Sequence, residues 1–197
     1  MSHGKTIKLF VENYSKSDIL NEAVNQARIE ETNLNVPKLI EVKKIEERWA
    51  IILEHIEGVT LESLMKEHPE KEDEYLTLFV DTQLNILKQR APLLGRIKDK
   101  MKRKLTNAKN IENKRYDLLH RLEGMPVEDS VCHGDYNPSN IIIKEDGSVY
   151  IIDWSHVTQG SIVFDAARTY LLFNMDGKTE LAEKYLELIS SKAEISK

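Results

Sequence analysis

The pattern of apolar and polar residues divides the 197-residue chain into short β-like runs near its start and longer helical runs beyond them. Short runs that are rich in β-branched residues and bounded by turn residues predict strands. The predicted strands cover residues 6–11, 38–45, 48–53, 141–144 and 149–152. Apolar residues that recur three and four positions apart predict helices. The predicted helices cover residues 14–31, 61–67, 72–90, 97–123, 162–174 and 179–191.

The order of these elements predicts an α+β fold with two lobes. Residues 1–57 form a small β-rich lobe, in which the second and third strands make a hairpin that turns at Glu46 and Glu47. Residues 58–197 form a mostly helical lobe, and we place a hinge between the lobes at residues 54–58. The last two strands lie within the helical lobe, next to the residues of greatest chemical interest.

The composition fits a cytoplasmic enzyme. The chain has 28 Lys and Arg residues against 33 Asp and Glu residues, and its formal charge of −5 argues against a dedicated nucleic-acid binder. A single cysteine excludes an intramolecular disulfide framework. The first residues lack an apolar signal region, and no run approaches the ~18 apolar residues of a membrane span. We therefore expect neither a membrane nor a nucleic-acid partner, and the sequence leaves the oligomeric state open.

Three oxygen-bearing side chains are predicted to meet at the end of the hairpin made by the last two strands. Those strands are separated by a compact turn at residues 145–148. If all four turn residues form the loop, Asn140 faces Asp153 across the open end of the hairpin, with the two backbones about 5 Å apart. Asp135 lies on the loop that leads into the same end. This convergence predicts a functional site.

The residue types at this site suit a hard cation and a phosphoryl transfer. A carboxylate beside an amide, without a His or Cys pair at ligand spacing, favours Mg²⁺, which completes its shell with water and phosphates. Asp135 precedes Asn140 on the same loop and is placed to accept a proton from an attacking hydroxyl. An Asp near an Asn is also common in turns and caps. Cys132 and His133 are adjacent on an extended segment and point to opposite faces, so they form no catalytic pair.

The segment His133-Gly134-Asp135, followed by Asn140 and Asp153, resembles the catalytic signature of the aminoglycoside phosphotransferase family, whose members are distant relatives of the protein kinases. The resemblance implies a protein-kinase-like fold and transfer of the γ-phosphoryl group of ATP to a hydroxyl of a small molecule, either an aminoglycoside-like antibiotic or a metabolite. It implies that Asp135 orients and deprotonates the acceptor, that Asn140 and Asp153 hold Mg²⁺, and that His133 supports the loop. The alternative is a degenerate, non-catalytic kinase-like protein that binds nucleotides or other partners.

Residues of the small lobe resemble the nucleotide contacts of the same family. Lys8 lies on the first strand and resembles the phosphate-pairing lysine. Glu22 falls in an apolar stripe of the following helix, where an inward carboxylate needs a cation, and Lys8 is the natural partner. An exposed strand lysine and a solvated helix glutamate are the ordinary alternatives. Glu54, His55 and Ile56 resemble the hinge on which kinases seat adenine through backbone groups.

Two departures from the family pattern predict a chain that is truncated at both ends. Family members usually place two strands and a phosphate-covering loop before the lysine strand, whereas only residues 1–4 precede it here. Relatives also continue with further helices, whereas this chain ends at Lys197. We therefore expect a small lobe that lacks the first strands and the glycine-rich loop.

The residues around the catalytic signature favour a small-molecule kinase over a protein kinase. The span from Asp153 to Asp165 is too short for a peptide-docking activation segment, and Gly134 replaces the Arg that precedes the catalytic Asp in protein kinases. Asp165 and Arg168 resemble the family's Asp-x-x-Arg, which either braces the catalytic loop or forms a plain ion pair one helical turn apart.

A basic run at residues 96–104 leaves two interpretations open. It either binds an anionic partner such as nucleic acid or is the solvated face of a helix. Ile97, Met101 and Leu105 recur every four residues, which predicts a buried apolar stripe and favours the solvated face.

Overall fold

The computed structural model describes residues 4–194, which form eight β-strands and seven α-helices. The strands are β1 (Lys5–Leu9), β2 (Leu39–Ile45), β3 (Arg48–Glu54), β4 (Val59–Thr60), β5 (Ser130–Cys132), β6 (Ile141–Ile143), β7 (Val149–Ile151) and β8 (Thr158–Gly160). The helices are α1 (Lys16–Glu30), α2 (Leu61–Glu67), α3 (Glu72–Leu87), α4 (Ile97–Asn107), α5 (Glu112–Gly124), α6 (Ile162–Met175) and α7 (Thr179–Ala193). Residues 1–3 and 195–197 lie outside the described residues. The expected truncation at both ends of the chain concerns these segments.

The N-terminal region is a three-stranded antiparallel sheet in the order β1-β3-β2, with α1 packed against it. Phe10 follows β1 and packs with Ile19 of α1 and Ile51 of β3 in a small core. The turn between β2 and β3 has φ of 48° at Glu46 and 65° at Glu47. Two consecutive left-handed residues match the twist of a tight hairpin. The predicted hairpin and its turn are therefore confirmed.

A larger core lies among α3, α6, α7 and the short strands. Phe79 of α3 is fully buried, with its ring centroid 4.4 Å from that of Tyr136 and 5.9 Å from that of Tyr185. Ile29 of α1 and Val36 belong to the same core, so the N-terminal region packs directly on the helical region. The predicted α+β fold class is confirmed, whereas the lobe boundary after residue 57 stays a prediction. No helix within residues 4–194 is long and apolar enough to cross a membrane.

The helical segment predicted at residues 97–123 is two helices, so that prediction was wrong in its continuity. α4 ends at Asn107, α5 begins at Glu112, and Asn110 between them has a φ of 66°. Arg115 of α5 donates from Nη2 to the carbonyl oxygen of Ala108 at 2.6 Å, which satisfies a carbonyl beyond the end of α4. Apolar spacing continues on both sides of the break, and the pattern therefore does not reveal it.

The hairpin of β6 and β7 has a register one residue away from the predicted one. Ile141 pairs with Ile151, and the N–H of Ile152 donates to the carbonyl oxygen of Asn140 at 3.0 Å. Asn140 therefore faces Ile152 and not Asp153, which corrects the predicted pairing. The loop contains three residues, because Gly147 adopts a left-handed conformation with a φ of 80° and closes it early.

Replacing Gly147 with alanine should test this register. A Cβ at Gly147 would meet no atom within 4 Å, so the cost is backbone strain alone. We expect Gly147→Ala to lower the free energy of unfolding by about 1–2 kcal/mol, measured by urea denaturation. Gly124→Ala is the matched control, because Gly124 also has open space around it and no positive φ. Equal stability of the two variants would contradict the three-residue loop.

Candidate active site

Residues 133–140 connect β5 to β6, and we call them the catalytic loop after the signature they resemble. The first residue of this loop, His133, is wholly buried. Its Nε2 lies 3.0 Å from the carbonyl oxygen of Ile152, and its Nδ1 accepts the N–H of Asp135 at 3.3 Å. Burial lowers the pKa of His133 in spite of the neighbouring carboxylates. A neutral ring with its proton on Nε2 satisfies both contacts. His133 therefore joins the loop to the end of β7 and has a positioning role.

The preceding residue, Cys132, is an inert structural thiol. Its Sγ lies 3.6 Å from the carbonyl oxygen of Ser130 and 3.5 Å from that of Ser161, and the side chain is fully buried. Burial, with the charge of Asp165, raises the pKa of Cys132 well above its usual value. A thiol with so little thiolate is not a nucleophile at neutral pH.

Asp165 and Arg168 hold the same loop from α6. The N–H of Gly134 donates to Oδ1 of Asp165 at 2.8 Å, and Nε of Arg168 donates to the carbonyl oxygen of Gly134 at 3.3 Å. Gly134 has a φ of 79°, and a Cβ there would lie 2.7 Å from the carbonyl oxygen of His156. The pair therefore holds both peptide groups that flank Cα of Gly134, which is the first of the two interpretations of Asp-x-x-Arg. The same contacts explain why glycine stands before Asp135.

Asn140 and Asp153 lie at the open end of the β6–β7 hairpin, where Asn140 directly precedes β6 and Asp153 lies two residues after β7. Nδ2 of Asn140 donates to the carbonyl oxygen of Asp135 at 2.9 Å, which leaves its Oδ1 without a hydrogen-bond partner among residues 4–194. Asp153 directly follows Ile152, the residue that faces Asn140, and it has a φ of 58°. A left-handed Asp is uncommon and stores strain at sites that need a special side-chain direction. From this position Oδ1 of Asp153 lies 3.2 Å from Nζ of Lys8.

These two side chains fit a magnesium site. Mg²⁺ takes one or two protein oxygens and fills its remaining positions with water and phosphate oxygens. The described part of the chain contains no group of three or more His, Cys, Asp or Glu residues that could hold a metal ion by themselves. The Asn140 amide oxygen and the Asp153 carboxylate therefore suit a cation that arrives with a phosphate ligand.

Lys8 connects the N-terminal sheet to this site. Its Nζ lies 2.6 Å from Oε1 of Glu22 and 3.2 Å from Oδ1 of Asp153. Burial lowers the pKa of Lys8, but the hydrogen bond to Glu22 and the charge of Asp153 outweigh it, and the pKa lies above its usual value. For Asp153, burial raises the pKa, and the charge of Lys8 with hydrogen bonds from Ser155 reverses the shift to a net lowering. The expected pairing of Lys8 with Glu22 is present.

A cavity of about 300 Å³, which we call the sheet cavity, opens between the N-terminal sheet and the β6–β7 hairpin. Its wall contains both charged and apolar side chains, among them Lys8, Asp153, Ile51, Leu53, Glu54, Ile56 and Ile152. His55 is not in the wall, because its Nδ1 contacts Oγ1 of Thr6 at 3.0 Å and its N–H donates to the carbonyl oxygen of Gly4 at 3.0 Å. Of the three predicted hinge residues, two therefore line the cavity.

A second cavity of about 640 Å³, which we call the α4 cavity, lies against the other side of the catalytic loop. Gly134, His156 and Arg168 line it, together with Lys100 and Met101 of α4. No prediction from the sequence included this cavity. The signal was the basic run of α4, which points partly into the cavity and not only into solvent.

Comparison with known proteins agrees with this geometry. Residues 7–193 match the model of the phosphotransferase enzyme family. No curated protein sequence matches the chain at a significant level. Solved structures of aminoglycoside phosphotransferases share the protein-kinase-like fold with this chain at low sequence identity.

A thermostable mutant of aminoglycoside phosphotransferase APH(4)-Ia, in a ternary complex with AMP-PNP and hygromycin B, is 14% identical with a TM-score of 0.69, covering 96% of this chain and 71% of that one. The type VIII aminoglycoside-3'-phosphotransferase is 15% identical with a TM-score of 0.68, covering 98% and 79%. APH(3'')-Id from Streptomyces rimosus, in complex with ADP and streptomycin, is 16% identical with a TM-score of 0.67, covering 98% and 81%. Because the family model spans nearly the whole chain and the fold is that of these enzymes, the protein belongs to the phosphotransferase enzyme family.

Proposed function

We propose that this protein transfers the γ-phosphoryl group of ATP to a hydroxyl of a small molecule, an antibiotic or a metabolite, in the cytoplasm. The observation that carries the proposal is that residues of the catalytic signature lie beside two cavities. Asp153 lines the sheet cavity, Gly134 lines the α4 cavity, and the Asp135 carboxylate lies 3.8 Å from Arg168, another residue of the α4 cavity wall. A phosphoryl donor on one side and an acceptor on the other would meet at this carboxylate.

The sheet cavity is the proposed nucleotide site. Lys8, held by Glu22, is placed to contact the α- and β-phosphates, as the corresponding ion pair does in kinases. The apolar walls near Ile51 and Ile56 suit a planar base. The N–H of Ile56 has no hydrogen-bond partner within residues 4–194 and is the proposed backbone donor to adenine, whereas the N–H of His55 is already bonded to Gly4.

Asn140 and Asp153 are the proposed ligands of Mg²⁺. When bound, the ion neutralises charge on the transferred phosphoryl group. The free Oδ1 of Asn140 and the carboxylate of Asp153 supply oxygen donors. Lys8 contacts Asp153 as well, so it keeps that carboxylate oriented toward the phosphates.

Asp135 is the proposed acceptor of the hydroxyl proton. Its carboxylate is about one-third exposed, and Nη2 of Arg168 lies 3.8 Å from its Oδ1, which orients it without closing it off. His133 and Asp165 position the catalytic loop through hydrogen bonds, and neither residue is among those that line the two cavities. The chain therefore contributes to the chemistry by placing the Asp135 carboxylate next to the hydroxyl of the acceptor.

Asp135→Asn should abolish ATP turnover, because an amide cannot accept the proton. We expect a loss of at least about 100-fold, measured as ADP formed from Mg²⁺-ATP with a panel of hydroxylated acceptors, while ATP affinity and stability stay unchanged. Asp117→Asn on the exposed surface of α5 is the control. Full activity of Asp135→Asn would refute the assignment. Nucleotide binding by the wild type without turnover of any acceptor would favour the non-catalytic alternative.

Lys8→Met should weaken ATP binding about tenfold or more, since a hydrogen bond to a charged group contributes about 1.5–3 kcal/mol. Isothermal titration calorimetry measures the dissociation constant directly. Lys43→Met is the matched control, because Lys43 also belongs to the N-terminal sheet and pairs with a Glu at 2.8 Å, but lies outside the cavity wall. An equal effect of both substitutions would mean that Lys8 does not contact the nucleotide.

ATP should raise the melting temperature more in the presence of Mg²⁺ than in EDTA, because a ligand that binds more tightly stabilises the folded state more at the same concentration. Asp153→Asn should remove the Mg²⁺-dependent part of this shift and leave most of the rest. Differential scanning fluorimetry over a series of Mg²⁺ concentrations checks both statements. A shift in Asp153→Asn with the same Mg²⁺ dependence as the wild type would place the metal elsewhere.

A further inference from the structure

The α4 cavity has a positively charged wall, although the chain as a whole has a formal charge of −5. Lys100, Lys104 and Arg168 line it, and Glu128 is the one carboxylate among the described residues of the wall. Arg168 lies 3.8 Å from Asp135, so part of its charge is compensated there. The two lysines of α4 therefore supply most of the positive charge that a ligand would meet.

These lysines have no carboxylate partner in the part of the chain that the structure describes. They are four residues apart and share one face of α4. Neither forms an ion pair within residues 4–194, and Nζ of Lys100 donates instead to the carbonyl oxygen of His156 at 3.1 Å. Burial lowers the pKa of Lys100, and the charges of Lys104, Arg103 and Arg168 lower it further. Cations that repel one another at the wall of a cavity favour the entry of an anion.

The remaining wall of the cavity is largely apolar. Met101 of α4 and Val163, Phe164 and Leu171 of α6 face the space. Val163 and Leu171 are each 52% exposed, so α6 presents an uncovered apolar surface beside the lysines. Glu128 also lines the cavity, and its Oε1 accepts the hydroxyl of Ser161 at 3.2 Å. Apolar walls with a few convergent charges are typical of small-molecule sites.

We propose that the acceptor is anionic: a small molecule with a hydroxyl, an apolar body and a carboxylate, phosphate or sulfonate group that binds Lys100 and Lys104. The inference rests on the proposed function, because the hydroxyl would reach Asp135 beside Gly134 and Arg168, which line the cavity. Aminoglycosides carry several ammonium or guanidinium groups, which this wall repels. The cavity therefore selects against acceptors such as hygromycin B and streptomycin, which the similar structures hold.

Two fluorescent dyes with the same aromatic body test the charge preference. Anilinonaphthalene sulfonate is anionic, and N-phenylnaphthylamine is its neutral counterpart. Each is titrated into the full chain in the presence of AMP-PNP and Mg²⁺. We expect Lys104→Met and Lys100→Met each to weaken binding of the anionic dye about fivefold or more, the effect of one partly screened charge, with affinity for the neutral dye unchanged.

Matched variants locate the dye. Lys102→Met is the control on the same helix, because Lys102 is exposed, lies 4.0 Å from Glu123 and is outside the cavity wall. Lys8→Met reports binding in the sheet cavity. Circular dichroism establishes that each variant is folded, and within residues 4–194 the Lys104 side chain makes no hydrogen bond or ion pair that its loss would break. Hygromycin B should not displace the anionic dye.

The proposal is overturned if the Lys100 and Lys104 variants bind the anionic dye as the wild type does, if only Lys8→Met weakens it, or if hygromycin B displaces it. Failure of the proposed function is a separate outcome, because it appears as undiminished turnover in Asp135→Asn, a variant that leaves both lysines intact. An active enzyme with no charge preference in this cavity would keep the phosphotransferase and discard the anionic acceptor.

Discussion

The shape of the catalytic loop depends on one buried carboxyl group. Asp165 is wholly inaccessible to solvent, yet it accepts the N–H of Gly134 at 2.8 Å and the side-chain amide of Gln83 at 3.1 Å. Gln83 in turn accepts the hydroxyl of Tyr185 at 2.7 Å. A carboxyl group far from water is tolerated only when its oxygens are hydrogen-bonded, so the loop cannot move away without leaving a costly unsatisfied group behind. Helices α3, α6 and α7 therefore support the loop through a single chain of polar contacts.

The second constraint is electrostatic and crosses between the two parts of the fold. Lys8 contributes a cation from β1, Glu22 fixes it from α1, and Asp153 receives it at the end of the β6–β7 hairpin. Because Lys8 and Glu22 are only partly exposed, their attraction is less screened than that of a surface pair. The orientation of the sheet and the direction of the Asp153 carboxylate thus depend on each other. A rearrangement of the N-terminal region would therefore move Lys8 and change the orientation of the Asp153 carboxylate at the proposed metal site.

Local signals in the sequence predicted most elements, and failed at a hairpin register, a helix break and a cavity, while the chemistry of the site residues stays a prediction. The turn at Glu46 and Glu47 and the bounds of α2 followed from residue types alone. The hairpin register did not, because a three-residue loop and a four-residue loop both fit the same turn residues until Gly147 adopts its left-handed conformation. The break after α4 is stabilised by Arg115, which reaches back from the next helix. The α4 cavity joins segments that lie far apart in the chain, and no short pattern describes it.

The buried thiol of Cys132 can report local unfolding of the segment that contains it. The thiol is enclosed between β5 and α6, next to the catalytic loop, and burial keeps it protonated. An alkylating reagent can reach it only after the strand detaches, and the sulfur reacts at its ordinary rate once it is in water. As the chain has one cysteine, the rate of modification measures a single event, the local unfolding of the segment that holds the catalytic loop.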